Sequence, residues 1–240
     1  MSTAPVQTDQ YLLPRQVAAP PGPVDARMMY VMHFAFRRDL AMFVAAARVT
    51  PWGDRDAWRA LAERWGLFSA NLHHHHAGED AGLWPLLMEY ADTAERSTLE
   101  DMEAEHALID PLLAECVAGF TAVVSTTDPE VARRLADSLA AAQECLAGHL
   151  RHEETAAMAM VQRYLTQQEW DDMAKENFAK GQGLRDLLAM LPWATHEMPQ
   201  AELDSLLTQA GLPFRVLLRL SRGRFARLQE RATRHLDGES

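Results

Sequence analysis

The chain has 240 residues, of which 48% are hydrophobic, so it is long enough for one large helical domain or for one domain with an appendage. Its formal net charge is −11 at pH 7, which argues against general nucleic-acid binding. It has no apolar run of about 18 residues and no secretory leader, so we expect a cytoplasmic protein without a membrane span, in which Cys116 and Cys145 stay reduced.

The first two predicted elements follow an N-terminal arm. Residues 1–24 hold five prolines with little apolar periodicity, which indicates an arm without regular structure, either disordered or wrapped on the surface. The first helix is expected from about residue 25 to residue 48 and is broken at residues 50–53. Asp54 can cap a second helix that extends towards Tyr90, and Pro85 is expected to kink or end it.

Two further helices complete a predicted bundle. Ser97 and Glu100 have the spacing of a capping box for the third helix, in which Pro111 predicts a kink. Asp128 and Pro129 are suited to begin the fourth helix, which runs to about residue 165. Because short connections make sequential helices antiparallel, residues 25–165 are predicted to form an up-down-up-down four-helix bundle of the all-α class.

Residues 166–240 are expected to form a helical extension packed on this bundle. Thr166 and Glu169 form a capping box for a helix that reaches about Met190 and ends at residues 191–193. A short helix near residues 202–209 precedes a last helix over about residues 214–235. Residues 211–240 hold seven arginines and three acidic residues, so this helix is expected to dock on the acidic bundle, with a partner or a membrane surface as the alternative.

Each bundle helix carries a histidine on its own apolar stripe, where the spacing of three and four residues predicts a core position. Two of these histidines are followed by glutamate four residues later, on the same helix face. The six residues are His33, His75, Glu79, His106, His149 and Glu153. An unpaired buried carboxylate costs several kcal/mol, so this set indicates a cation in the bundle core. A lone core histidine is more often satisfied by a hydrogen bond, but four on separate helices favour a metal site.

The ligand types restrict the metal. Imidazole suits iron, copper, zinc and nickel, and its mixture with carboxylate favours non-haem iron or manganese. A zinc site alone would need only four ligands. Six inward groups therefore predict two metal ions.

The motif set resembles the hemerythrin family, specifically its HHE cation-binding branch. The resemblance rests on His33, His75-x-x-x-Glu79, His106 and His149-x-x-x-Glu153 with their flanking residues, and it covers roughly residues 28–165. It implies two iron ions with an oxo or hydroxo bridge, for which manganese or zinc are possible substitutes. On this resemblance Glu79 and Glu153 bridge the ions, His33 and His75 bind one of them, and His106 and His149 bind the other.

One position departs from the family pattern. Oxygen-binding hemerythrins have a fifth histidine one turn after the histidine of the third helix, and here that position is Asp110. This departure disfavours simple reversible oxygen carriage. His76, beside His75, and Asp110 are the two candidates for completing the coordination of the second ion, whereas His73 and His74 are expected to face solvent or to orient the ligands.

The other polar residues near the motifs are not expected to be metal ligands. Tyr30 lies one turn before His33 and is expected to pack in the core, although it could bond a metal-bound species. His152 and Glu154 are expected to face solvent or the bundle edge, and residues 196–197 are expected at the surface.

Three functions are compatible with this pattern. The favoured one is an oxidoreductase that binds or reduces oxygen, peroxide or nitric oxide, with catalase-like or peroxide-detoxifying turnover preferred to oxygen carriage. The alternative is a di-iron oxidase or oxygenase acting on a small organic substrate, for which the extension with Trp193 would roof a pocket. A second alternative is an iron or redox sensor or store. The expected partners are small molecules, and the pattern leaves the oligomeric state open.

Overall fold

The computed structural model describes residues 8–126 and 128–236, and these ranges are all-α, as predicted. The bundle helices are α1 (Arg27–Val49), α2 (Arg55–Gly78), α3 (Trp84–Met88), α4 (Thr93–Ser125), α5 (Pro129–His152) and α6 (Met158–Tyr164). The extension contains α7 (Gln167–Ala174), α8 (Leu184–Ala194) and α9 (Gln200–Thr233). Three π-helical segments interrupt them, namely π1 (Glu79–Leu83), π2 (Glu153–Ala157) and π3 (Lys175–Ala179).

The four long helices form a ring around one core. α1 packs on α5, α5 on α4, α4 on α2, and α2 closes the ring against α1. α2 and α5, which carry the two His-x-x-x-Glu units, therefore lie diagonally opposite each other. This arrangement confirms the predicted four-helix bundle.

An aromatic cluster fills part of the core. Phe43 packs against Trp65 with ring centres 5.2 Å apart, and Trp65 packs against Phe120 at 5.4 Å. Phe68 lies 5.8 Å from Phe43. These residues come from α1, α2 and α4, and edge-to-face and tilted ring packing of this kind adds to the stabilisation from the area that it buries.

Two of the predicted helix starts are confirmed. Asp54 caps α2 by accepting a hydrogen bond from the Ala57 N–H, and Asp128 caps α5 by accepting one from the Glu130 N–H. Each supplies an acceptor to a backbone N–H that has no partner within its helix.

The predicted start of the third helix is wrong. α4 begins at Thr93, and its N-cap is Asp92 rather than Ser97. Asp92 accepts from the Glu95 N–H at 3.0 Å, and the Glu95 side chain accepts from the Asp92 N–H at 3.1 Å. This capping box satisfies the helix end one turn earlier, so Ser97 lies inside the helix.

The effects expected of the prolines also differ. α4 continues through Pro111, and α8 continues through Pro192 to Ala194. Near Pro85 the helix changes form before the proline, in π1. π1 begins four residues after His75, and π2 begins four residues after His149. π2 contains no proline, so proline is not the common cause of the two interruptions.

The extension also differs in detail from the prediction. The helix expected to reach Met190 is divided into α7 with π3 and α8, separated at Gly181, whose φ of 85° suits glycine. The two last predicted helices meet at Gly211, where φ is 80° inside the span of α9.

The N-terminal arm wraps the bundle from residue 8 onward, the second of its two predicted alternatives, and residues 1–7 lie outside the described ranges. Leu13 and Val24 of the arm are buried in the core. The Gln10 side chain donates to the carbonyl of Val24 at 2.8 Å, which closes the arm on itself before α1 begins.

Among the described residues, α4 is long and apolar enough to cross a membrane when length and composition alone are considered. The same helix packs between α2 and α5 and directs its core side chains into the bundle. Core helices of bundles share this composition, so the expected absence of a membrane span stays a prediction, as does the cytoplasmic location.

A buried ionic network ties the extension to the bundle. Arg64 of α2 donates two hydrogen bonds to Asp39 of α1, at 2.9 and 3.0 Å, and both side chains are fully buried. The indole N–H of Trp193 in α8 donates to Asp39 at 2.7 Å, and Arg64 also donates to Gln229 of α9 at 2.8 Å. Burial alone would raise the pKa of Asp39, but Arg38 and Arg64 bring that pKa below its usual value.

The basic end of α9 docks on the acidic start of α2. Arg231 and Arg234 pair with Asp56, at 2.6 and 3.0 Å, and Arg234 and His235 both pair with Asp54. These contacts agree with the predicted intramolecular role of the basic helix.

We predict that Asp39→Ala destabilises the fold, because it leaves the Arg64 guanidinium buried without its carboxylate. The free energy of unfolding should fall by about 3–5 kcal/mol, the cost of breaking a buried ion pair on one side. Urea denaturation of the full-length protein measures it. The exposed Asp137→Ala serves as the control and should change the free energy by less than about 0.5 kcal/mol. Equal midpoints for the two variants would contradict the role given to this network.

Candidate metal centre

Five buried histidines from all four long helices converge in the core. They are His33 of α1, His75 and His76 of α2, His106 of α4 and His149 of α5. The Nε2 atoms of His33 and His75 lie 3.3 Å apart, and those of His106 and His149 lie 3.0 Å apart. The two pairs therefore present nitrogen atoms to two neighbouring points.

Glu79 and Glu153 lie between these points. The two oxygens of Glu153 lie 3.1 Å from His149 Nε2 and 3.3 Å from His33 Nε2. Those of Glu79 lie 3.2 Å from His75 Nε2 and 3.7 Å from His106 Nε2. Each carboxylate thus offers one oxygen to each pair of histidines, which is the arrangement that two bridged cations need.

The potential ligand atoms form two groups. Group one contains His33, His75, Glu79 and Glu153, and group two contains His76, His106, His149 and Glu79. Within each group the atoms lie within 4.8 Å of one another. Ligands at right angles on one metal at about 2.1 Å would be about 3.0 Å apart, which matches the shortest separations found here.

The hydrogen bonding of these atoms also fits a cation. Within the described residues, both oxygens of Glu79, both oxygens of Glu153 and Nε2 of His76 are buried without a hydrogen-bond partner. Buried polar atoms of this kind are costly and are rarely left without a partner in folded proteins. Ligation to metal ions would satisfy all five atoms at once.

The π-helical segments begin at the two glutamates. π1 starts at Glu79 and π2 starts at Glu153, each four residues after its histidine. In each case the glutamate N–H bonds the carbonyl of that histidine and also the next carbonyl along. π-helical turns of this type occur frequently at functional sites.

Three of the imidazoles are oriented by carboxylates at Nδ1. Glu154 lies 3.1 Å from Nδ1 of His33, Asp80 lies 2.8 Å from that of His106, and Glu105 lies 2.8 Å from that of His149. A carboxylate at Nδ1 fixes the tautomer that presents the Nε2 lone pair to a metal and makes the imidazole a stronger ligand. Asp80 and Glu105 are adjacent to ligand residues in the sequence, but helical spacing alone does not predict this role for them.

The prediction that Glu154 faces solvent or the bundle edge is wrong. Its side chain is fully buried and accepts hydrogen bonds from Arg37 at 2.6 Å and from the Val17 N–H at 2.8 Å. The guanidinium and the arm together satisfy a carboxylate that would otherwise be costly to bury. His152 fits the edge interpretation, since it is half-buried and lies 3.0 Å from Glu105.

The four histidines at residues 73–76 lie in different environments. His76 is buried and stacks on His106, with ring centres 3.9 Å apart, so it lies in group two beside the predicted ligands. His74 bonds the Phe178 carbonyl through Nε2 at 2.6 Å, and His73 is exposed. Asp110 is also exposed, so of the two residues considered for the second ion only His76 lies in the cluster.

Burial bears on the interpretation of Tyr30 and of residues 196–197. Tyr30 is fully buried, and its hydroxyl has no partner within the described residues. His196 is half-buried against Phe225, with ring centres 5.2 Å apart, so the surface interpretation holds only for its neighbour Glu197.

Burial makes the charges of the cluster interdependent. Burial lowers the pKa of His75 well below its ordinary value and also lowers that of His106. Burial and the nearby Glu153 raise the pKa of Glu79 well above its ordinary value. Burial opposes ionisation of Glu153 as well, but His149 and His33 bring its pKa well below the usual range. Without a metal, therefore, Glu79 holds a proton more tightly than Glu153 does.

A cavity of about 450 Å³ lies beside group one and has His75 in its wall. π3 covers π1 at this place, and the Phe178 ring lies 6.0 Å from the His75 ring. The approach is close, because a Cβ at Gly78 would lie 2.4 Å from Phe178 and one at Gly82 would lie 2.3 Å from Asn177. Glycine at these positions allows the extension to cover the ligand-bearing turn.

The comparisons with known proteins give one match. A family model described as the hemerythrin HHE cation binding domain matches residues 24–161. No curated protein and no solved structure matches the chain. The matched range contains all seven side chains of groups one and two.

We predict that the stability of the metal-free protein falls as the pH rises from about 6.5 to about 9. Burial opposes the charge on His149, but Glu153 and Glu105 outweigh it and raise the pKa of His149 from 6.5 to about 9. The folded state therefore holds this proton more tightly than the unfolded state. Its stabilising contribution is complete below pH 6.5 and is lost through pH 9, at a cost of at most about 3 kcal/mol.

Urea denaturation in the presence of a chelator at several pH values measures this slope. The variant His149→Gln should flatten it, and the exposed His73→Gln should leave it unchanged. The same slope in the wild type and in His149→Gln would contradict the assignment.

Proposed function

The chain belongs to the hemerythrin HHE cation-binding domain family, and we propose that it holds two iron ions and binds or reduces oxygen, peroxide or nitric oxide. Peroxide-consuming turnover is favoured over reversible oxygen carriage, and manganese or zinc are possible substitutes for iron. The observation that carries the proposal is the pair of shared carboxylates, Glu79 and Glu153, whose four buried oxygens have no hydrogen-bond partner in the described residues.

The composition of the two groups supports the following ligand assignment. His33 and His75 would hold one ion, and His106, His149 and His76 would hold the other, with the two glutamates between them. Seven ligand side chains exceed what one tetrahedral zinc needs, and the mixture of imidazole and carboxylate favours iron. When bound, a pair of irons supplies redox chemistry that the side chains lack.

The protein's own residues prepare this site. Glu154, Asp80 and Glu105 hold three imidazoles in the orientation that presents Nε2 inward. Arg37 compensates the charge of Glu154. The ligand side chains are nearly inaccessible to water, which limits side reactions of bound oxidants.

The two groups are unequal, and this inequality supports turnover. Group two has three histidines, whereas group one has two and lies beside the cavity through His75. Exogenous molecules would therefore meet the ion with fewer histidine ligands. His76 nevertheless brings the histidine count to five, so oxygen carriage is the outcome that an experiment must separate from turnover.

The cavity supports a second candidate function. A volume of about 450 Å³ is in the range of sites for small organic molecules and far exceeds what oxygen or peroxide needs. A di-iron oxidase or oxygenase acting on a small organic substrate would use such a space beside the ligand His75.

We predict that the wild type binds two irons and evolves oxygen from peroxide, and that the double variant Glu79→Gln/Glu153→Gln does neither. A neutral amide bridges two cations poorly, so dinuclear binding should be lost. Metal analysis and an oxygen electrode measure the two properties. The exposed pair Glu103→Gln/Glu115→Gln is the matched control and should retain both.

Each outcome has a distinct meaning. Full iron content in the double glutamate variant would overturn the ligand assignment. A stable optical band with oxygen and no reaction with peroxide in the wild type would indicate carriage instead of turnover.

We also predict different effects for two adjacent histidines. His76→Gln removes a ligand of group two, so the iron content should fall from about two ions towards one while group one stays occupied. His73→Gln changes an exposed imidazole in the same helix and should keep both ions. Metal analysis after dialysis against a weak chelator measures the difference. Equal content in the two variants would remove His76 from the ligand set.

A further inference from the structure

The cavity beside group one has a mainly apolar wall. Met28, Met29 and Met32 of α1 line one side, and Trp170 and Phe178 of the extension line the other. Thioether and aromatic groups of this kind pack well against the faces of flat rings. Its volume of about 450 Å³ compares with about 30 Å³ for one water molecule, so the space suits an organic ligand.

The charged groups at the cavity compensate one another. Arg27 donates to Asp25 at 2.7 Å and also bonds Gln209 of α9, so its charge is already paired. Lys175 and Asp171, which lie one turn apart, add one charge of each sign. The wall therefore has no excess of either sign to attract an ion, and a neutral ligand is the best fit.

His75 differs from the other oriented histidines in one respect. His33, His106 and His149 each have a carboxylate at Nδ1, whereas Nδ1 of His75 makes no hydrogen bond within the part of the chain that the structure describes. The Nε2 atom of His75 lies 3.2 Å from Glu79, and its ring also lines the cavity. A metal ion at Nε2 would leave the proton of this ring on Nδ1, which makes Nδ1 a hydrogen-bond donor.

We propose that this cavity binds a neutral, flat aromatic molecule that carries an oxygen acceptor, with its ring between the methionines and Phe178 and its oxygen towards His75. The apolar contacts of the ring require no metal, and a metal ion at Nε2 of His75 adds the Nδ1 donor. A role of this molecule as a substrate rests on the second function proposed above, in which His75 belongs to the metal centre. Bound there, the oxygen would take the place at Nδ1 that carboxylates hold on the other rings.

The test is calorimetric titration of the full-length protein with 2-naphthol, in the metal-free and the iron-loaded form. We expect saturable binding of one molecule per chain in both forms. 2-Methoxynaphthalene keeps the acceptor oxygen and should bind comparably, whereas the anion 2-naphthoate should bind at least about tenfold more weakly. No saturable binding of 2-naphthol would overturn the proposal, and equal affinity for 2-naphthoate would overturn the neutral class.

Substitutions locate the site. Leu206→Trp fills the cavity from α9 and should weaken binding at least about tenfold, whereas Leu220→Trp is the same change at an exposed position of that helix and should not. Met32→Trp fills the cavity from α1 and tests the location of the binding site if Leu206→Trp does not fold. Unchanged affinity in a folded cavity variant would overturn the location. Naphthol binding to a protein that does not bind two irons would support the binding pocket and contradict the proposed metal function.

Discussion

The burial of Glu79 and Glu153 is the constraint on which the rest of the site depends. Their four oxygens lie in the core of a helical bundle without hydrogen-bond partners in the described residues, a state that is costly unless a cation is present. In its absence the chain compensates by raising the pKa of Glu79 and by placing positive charge on His149 beside Glu153. Metal binding, protonation and folding are therefore coupled through these two carboxylates.

A second set of carboxylates surrounds the first. Glu154, Asp80 and Glu105 contact the imidazoles from outside, and only Glu154 has a guanidinium partner, Arg37, in the described residues. The arrangement concentrates negative charge around the imidazoles, which strengthens them as ligands and favours a highly charged cation between them. Glu105 also raises the pKa of His149, so a proton and a metal ion compete for this imidazole.

The sequence alone predicted the parts that follow a regular helical period. The positions of His33, His75, His106 and His149 follow from the spacing of apolar residues, and so does the bundle. The period cannot reveal π1 and π2, which change how the chain turns after each glutamate. The helical period also cannot reveal that polar groups from distant segments bond a buried carboxylate. Glu154 is buried because Arg37 and the Val17 N–H reach it from α1 and from the arm, and nothing near Glu154 in the sequence indicates either contact.

Besides the buried network at Asp39, the extension has two attachments to the bundle with different consequences. At one end, Arg231 and Arg234 of α9 pair with the acidic start of α2, which holds the helix by exposed charges that salt screens. At the other end, π3 lies on π1, and Gly78 leaves the room in which the Phe178 ring approaches His75. The first attachment adds little specificity, whereas the second fixes the shape of a cavity whose wall includes a candidate ligand. A segment that only braced the bundle would not need this close approach at the ligand-bearing turn, so the contact between π3 and π1 favours the interpretation of the extension as a roof.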